Sequence, residues 1–291
     1  MNQPTSPPLR RRHRVLASPR ARRLMQQLGV APTSVRGSGP GGRIVAEDVT
    51  LRVTAGARQE AGGISAMRRA IAEKTAKSFA SVPHFYLRAE ADVTELVKLR
   101  QELVPAIKRQ AGVKLTLTDL LLAAMSWACA DYPFANSIWR DDTIVTFPTV
   151  DLGLVVGLQD GLLIPVLRNA GKATLGELAR QRIELTAKAH AGRLSAAETQ
   201  GAAMSLSNLG NSRVDEFAAV IAPGQSSMLS VGRAAPRPFV VQDQLAVRTT
   251  LRICLAADHR VMDGAPAAEM LGRIVDLLEN PDRLLRDPMV S

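Results

Sequence analysis

Four histidines are the side chains whose ordinary titration falls near neutral pH, and the surroundings of one of them suit proton transfer. His259 stands in Asp258-His259-Arg260-Val261-Met262-Asp263-Gly264, after the apolar run Leu251-Arg252-Ile253-Cys254-Leu255-Ala256-Ala257 and before a helical pattern. An imidazole at such a strand-to-helix junction projects into a cleft. In its neutral form it can take the proton of a thiol or a hydroxyl. Asp263, four residues on, can fix the loop or cap the helix that Gly264 opens. From these residues alone a catalytic base and a satisfied structural histidine both remain open. The other three carry less. His13 lies in a basic arm, His84 precedes a strand and reads as packed or capping, and His190 sits in the last turn of a helix, where imidazoles meet terminal carbonyls.

Acyl transfer also needs a donor for the oxyanion. Ser205-Leu206-Ser207-Asn208-Leu209-Gly210 ends a strand pattern and turns through Asn208 and Gly210, and its serine hydroxyls, Ser205 and Ser207, are both candidates. Read alone, Ser and Asn before Gly mark only a turn. Metal chemistry has no ligand set to draw on. Cys129 and Cys254 are isolated, with no Cys-x-x-Cys pair, which argues against structural zinc or a disulfide framework and suits a reducing cytoplasm. The loop Val35-Arg36-Gly37-Ser38-Gly39-Pro40-Gly41-Gly42-Arg43 is not a phosphate loop, because no strand precedes it and no Gly-Lys-Ser/Thr closes it.

The elements that position these residues follow from pattern. Hydrophobic residues make up 46% of 291 and charged residues 22%, which gives a globular chain with room for one large and one small domain. Aromatics are only 3%, so the core is built from aliphatic side chains. Of the net charge of +10, residues 1–60 hold +8, with eleven Arg and three acids. A basic N-terminal unit is thus joined to a nearly neutral body, and nucleic acid or an acidic protein surface could be its partner. Residues 1–13 read as a disordered basic arm. A short helix capped by Ser18 with Pro19 at its first position ends at Gly29, and a short second helix opens at Ala46-Glu47-Asp48-Val49. Residues 51–63 read as a linker of weak structure.

From Ile64 helices and strands alternate. Helices are expected over 67–81, 93–111, 116–130, 174–191 and 264–279. Strands are expected at 85–92, 143–147, 150–156, 162–166, 203–206, 218–221, 226–231, 239–241 and 245–255. This mixture favours an open α/β or α+β sheet. The run Leu115 to Ala130 is interrupted by Thr116, Thr118, Asp119 and Ser126, so it reads as a buried helix rather than a membrane span. No secretory signal is visible, and a cytoplasmic location is the default.

Taken in order, several motifs resemble a known family. The Asp258–Gly264 segment resembles the His-x-x-x-Asp-Gly signature of the dihydrolipoyl acyltransferase component of 2-oxo acid dehydrogenase complexes. Met67-Arg68-Arg69-Ala70-Ile71-Ala72, Val82-Pro83-His84-Phe85, Asp151-Leu152-Gly153-Leu154-Val155-Val156, the stretch from Asp160 to Arg168, and Ser205–Gly210 match the same domain, covering residues 64–291. The resemblance implies a chloramphenicol-acetyltransferase-like, two-layer mixed-sheet catalytic domain. It also implies that His259 is the base, that Ser207 donates to the oxyanion, and that Asp263 holds the loop with Arg69 as its candidate partner. Asn208 and Gly264 support the site. The family assembles trimers with the active site between subunits, so Ser207 and His259 would come from different chains of a homotrimer or higher assembly.

Residues 14–50 resemble the same family's peripheral subunit-binding domain, a small helical module that grips a dehydrogenase partner through arginines. Arg22 and Arg43 occupy matching positions, and a second basic position is Gln26 here. This assigns the N-terminal charge to a protein partner rather than to nucleic acid. Family members also carry lipoyl domains with a modified lysine after an Asp. The sequence holds no Asp-Lys pair, and its N-terminus matches the binding module directly, so no lipoyl-lysine and no bound cofactor are expected.

The main expectation is therefore a lipoyl-free acyltransferase. It would move an acyl group, most simply acetyl, from CoA as co-substrate to a hydroxyl of a small-molecule or carrier-bound intermediate, as in tetronate-type metabolism and antibiotic biosynthesis. Two alternatives stand beside it: the acyltransferase core of a 2-oxo acid dehydrogenase complex using a lipoyl domain in trans, and a non-enzymatic assembly scaffold.

Overall fold

The computed structural model describes residues 15–59 and 64–285. The chain divides into two compact units, one ending at Ile64 and the other beginning at Ser65. The expected arm over residues 1–13 lies outside the described residues.

In the first unit, α1 (Pro19–Gln27) starts where the Ser18 hydroxyl accepts the Ala21 N–H at 3.1 Å, and Pro19 presets its first turn. Its apolar face, Ala21 and Met25, packs on Val35, Ile44 and Val49. The glycine loop is built for close backbone approach. A Cβ on Gly37 would lie 2.4 Å from the Gly42 carbonyl oxygen, and Gly41 and Gly42 take φ of +67° and +74°. Asp48 closes this loop by accepting the Ser38 and Val45 N–H groups at 3.0 and 2.9 Å. Hydrogen bonds from Ser38, then from Val45, hold its carboxyl below the usual range. One expectation fails here. The second helix, α2 (Ala46–Gln59), runs on through most of the supposed linker, because residues 51–59 contain a single helix breaker, Gly56.

The second unit opens with α3 (Ala66–Ser81), β1 (His84–Asp92), α4 (Thr94–Ala111) and α5 (Leu117–Asp131). The helix α4 tolerates Pro105 and ends at Gly112 in the left-handed conformation. A capping box between Thr116 and Asp119 begins α5, and its residues Leu120 to Ala124 are almost wholly buried. Short strands follow: β2 (Ser137–Arg140), β3 (Thr143–Thr146), β4 (Leu152–Leu154), β5 (Val156–Leu158), β6 (Gly161–Leu163) and β7 (Val166–Leu167). The remainder is α6 (Leu175–His190), β8 (Met204–Asn208), β9 (Ser227–Val231), β10 (Ala235–Val241), β11 (Gln244–Asp258), α7 (Gly264–Glu279) and α8 (Asp282–Leu285).

Seven strands form one mixed sheet in the order β1-β11-β9-β8-β4-β7, with β10 paired to β11. Parallel pairing joins β4 to β8 and β8 to β9, and the other pairs are antiparallel. Alternate residues of β11, Leu251, Ile253, Leu255 and Ala257, enter the main core with Leu120, Met125, Ile274 and Leu278 from α5 and α7. This is the mixed α/β architecture that the alternating patterns implied.

Two strands were misjudged. Residues 218–221 form no strand, because side chains satisfy their backbone. Ala219 N–H donates to the Ser230 hydroxyl, Ile221 N–H to His84 Nε2, and the Ile221 carbonyl accepts from Ser78. Conversely β2 was not anticipated, since it pairs only with β3 in a small hairpin. Among the described residues no helix is long and apolar enough to cross a membrane.

Candidate active site

His259 leaves the end of β11 where its N–H donates to the Pro83 carbonyl at 3.0 Å. A tight turn follows, with the Val261 and Met262 N–H groups both donating to the Asp258 carbonyl. The buried Asp258 carboxylate accepts the Arg260 N–H and clamps its guanidinium at 2.7 and 3.0 Å. Arg260 in turn lies 5.5 Å over the Trp139 ring of β2. The turn is therefore held from both sides while its imidazole stays open, with the side chain 53% exposed.

The His259 ring packs on Phe85, centroids 4.7 Å apart, and its Nδ1 faces Asp263 Oδ1 at 3.6 Å. At that distance the contact is longer than a hydrogen bond, and Nε2 is the ring nitrogen turned away from the carboxylate. Among the described residues Nε2 has no hydrogen-bond partner. Asp263 stands at the cap position of α7 without capping it. The expected pair with Arg69 is not formed within the chain among the described residues: Arg69 is exposed on α3, and the Asp263 carboxylate faces His259 instead.

Ser207 lies near the C-terminal end of β8, 9% exposed, and its hydroxyl has no hydrogen bond among the described residues. Asn208 fixes the turn beyond it, accepting the Gly210 N–H at 2.7 Å and donating to the Thr118 hydroxyl at 3.1 Å. Close approach is enforced nearby by Gly232, where a Cβ would sit 2.0 Å from the Asp215 carbonyl oxygen. Beside Asn208 opens a cleft of about 570 Å³, lined by the apolar Leu154, Val156 and Val231, by the cations Arg100, Lys114 and Arg182, and by the His190 ring. Arg182 is pinned by the fully buried Asp119 at 2.6 Å. A lining that joins apolar side chains to cations suits a long ligand that carries an anionic end.

Ser207 and His259 are not neighbours within one chain. Ser207 is level with Ser230, which is level with Cys254, two strands away. His259 lies five residues further along β11, toward the N-terminal end of β8. At strand dimensions the separation is about 16 Å along the strands and about 10 Å across them.

His84 is fully occupied, with Nδ1 on the Val82 carbonyl at 2.8 Å and Nε2 accepting from Ile221, as its packed reading required. His190 departs from expectation: it lines the cleft rather than capping helix carbonyls. The cations of the cleft and the Asp258–Arg260–Trp139 clamp were missed as well, since their members are scattered through the sequence. Burial pushes the Cys129 thiol up to about 12 and raises Cys254 too, so neither is a nucleophile. In the first unit Arg22 and Arg43 are both exposed, and a shallow groove beside α1 is lined by Arg20, Arg23, Gln27 and Glu47. Among the described residues no cluster of three or more metal-ligating side chains occurs.

The structure thus places an open imidazole at the end of one strand of a mixed sheet, and a serine beside a cleft at the end of another. Residues 57–286 match the family model of the 2-oxoacid dehydrogenases acyltransferase (catalytic domain), and residues 15–50 match that of the e3 binding domain. The chain belongs to the 2-oxoacid dehydrogenase acyltransferase family and is an acyl-CoA-dependent acyltransferase. It is 34% identical to the dihydrolipoyllysine-residue acetyltransferase component of the acetoin cleaving system of Bacillus subtilis, over 94% of this chain and 71% of that protein.

Two solved structures are similar. The dihydrolipoamide acetyltransferase of Azotobacter vinelandii shares 31% identity at a TM-score of 0.73, covering 76% of this chain and 92% of that one. The cubic core of a pyruvate dehydrogenase multienzyme complex shares 31% identity at a TM-score of 0.72, covering 78% and 96%. These relatives redirect the functional expectation. They are acetyltransferase components of dehydrogenase or acetoin-cleaving systems, and they support the complex-core alternative better than hydroxyl transfer in tetronate-type or antibiotic biosynthesis.

Proposed function

We propose that this chain is the acyltransferase core of a 2-oxo acid dehydrogenase-type complex, moving an acetyl group between CoA and dihydrolipoamide. Residues 64–291 are the catalytic domain in this reading and residues 14–50 the partner-binding unit. The observation that carries it is the open imidazole of His259, backed by Asp263 and held by the Asp258–Arg260 clamp. The mechanism of the Azotobacter vinelandii enzyme has been studied through a serine, a histidine and an asparagine. Their spacing equals that of Ser207, His259 and Asp263, with asparagine at the place of Asp263.

His259 Nε2 takes the proton of the attacking thiol, and the thiolate adds to the thioester carbonyl. Ser207 donates to the oxyanion, a contribution of about 3 kcal/mol in comparable sites. Collapse expels the other sulfur, which recovers the proton from His259. Because one chain holds Ser207 and His259 about 19 Å apart, the working site joins Ser207 of one copy to His259 of another. The cleft beside Asn208 takes the long arm of CoA, with Arg100, Lys114, Arg182 and His190 facing its phosphates. The exposed arginines of the first unit, Arg22 and Arg43 with Arg20 and Arg23, dock a dehydrogenase (E3) subunit.

The acceptor decides between this reading and the hydroxyl-transfer one. CoA release from acetyl-CoA is expected to accelerate with dihydrolipoamide and to ignore small alcohols. Acceleration by alcohols but not by dihydrolipoamide would overturn the proposal.

A further inference from the structure

The strands β2 and β3 form a two-stranded sheet of their own, separate from the main one, and the hairpin they make is tightly built. Its turn holds Asp141 and Asp142 at φ of +48° and +58°, the left-handed pair that a two-residue connection between twisted strands requires. Asn136 closes the base by donating to the Phe147 and Thr149 carbonyls, both at 2.9 Å. The Ser137 and Thr146 hydroxyls bond across the strands at 2.7 Å. Successive side chains alternate between faces, so Ile138 is buried on one and the half-buried Trp139 stands on the other.

Trp139 meets the turn that bears His259. The Arg260 guanidinium lies 5.5 Å over its ring, and the Asp258 carboxylate holds the edge of the same guanidinium. Arg260 is thus engaged on its face and on its edge, and its charge is balanced by a carboxylate that is almost wholly buried. A cation committed in this way has little left to offer an anionic substrate, and its part is support. Backbone bonds fix where the turn begins: the Asp258 N–H donates to the Ser226 carbonyl and the His259 N–H to the Pro83 carbonyl. Beyond His259 the next side chain is Arg260, and the hairpin reaches it through Trp139.

We infer that Trp139 is a positioning residue for acyl transfer. The β2–β3 hairpin braces the turn through Arg260, and the brace keeps the His259 ring at the tilt from which Nε2 reaches the incoming thiol. This role presupposes His259 as the base, as read above. Among the described residues, neither Trp139 nor Arg260 lines the cleft beside Asn208. Loss of the brace therefore misplaces the base and leaves CoA binding intact, a change in kcat and not in KM.

Steady-state acetyl transfer from acetyl-CoA to dihydrolipoamide by the full chain tests it. Trp139→Leu keeps apolar bulk and removes the ring face. It is expected to lower kcat about tenfold, with KM for acetyl-CoA within about twofold of wild type. Trp139→Phe, which keeps a ring face, is expected to recover most of that loss. Arg260→Lys keeps the charge without the planar fork and is expected to fall as far as Trp139→Leu. The double variant falls no further, because both residues act through one contact. A packing role alone would lower the thermal midpoint and leave kcat of the folded protein unchanged.

A folded Trp139→Leu with wild-type kcat, equal losses in the Leu and Phe variants, or losses that add in the double variant overturns the brace. If Trp139→Leu does not fold, Arg260→Lys decides: a fall in kcat at constant KM supports the brace, and an unchanged kcat overturns it. His259→Ala separates the two ideas. If it keeps its turnover, the base assignment fails and the brace with it. If it is inactive while Trp139→Leu is fully active, the brace alone fails.

Discussion

At the scale of single residues, the least expected feature is how weakly Asp263 is engaged. Its carboxylate is 83% exposed and, among the described residues, meets only His259, at 3.6 Å. A group so placed acts by setting the tilt of the ring, a task that a neutral amide can share. Asp263→Asn is therefore expected to keep kcat/KM within about tenfold of wild type, and Asp263→Ala to lose about a hundredfold, in a steady-state assay of acetyl transfer. Equal losses in both would show that the negative charge itself is required. The candidate residues His259, Ser207 and Asp263 were all legible in the sequence, because each belongs to a short contiguous motif. Trp139 was not, since a cation–π contact to Arg260 across more than a hundred residues leaves no local pattern.

At the scale of elements, helices with long periodic patterns were readable to within a residue or two: α4, α5 and α7 fall where apolar spacing and caps put them. The segment around Ile221 was not readable, because its bonding is supplied by His84, Ser78 and Ser230 from distant parts of the chain. The same segment family carries Asp215, which fastens the start of β10 through Arg233 and Arg237. Their hydrogen bonds, Arg233 first, lower its pKa to about 2. A folded-state pKa below the ordinary value means that the clamp stabilises above about pH 4 and fades as pH falls through about 2. The thermal midpoint of wild type should thus exceed that of Asp215→Asn near neutrality, by an amount that shrinks with salt because the carboxylate is half-exposed. The gap should close between pH 4 and pH 2. A gap that persists unchanged to pH 2 would mean that the clamp does not titrate as described.

At the scale of the whole molecule, the sequence offers candidate site residues but not their separation. Ser207 and His259 lie in motifs that look equally close to any reaction centre. Only strand order and register reveal that they sit at opposite ends of the sheet. The sequence does not distinguish the acceptor, because a thiol and a hydroxyl ask the same of a base and an oxyanion donor, and it is the relatives that favour the thiol. Acyl transfer between thiols with His259 as the base is tested by the rate of CoA release from acetyl-CoA with dihydrolipoamide, for wild type against His259→Ala. The variant is expected to lose at least about a thousandfold in kcat while still assembling and still binding CoA. A His259→Ala chain that keeps near wild-type turnover would contradict it.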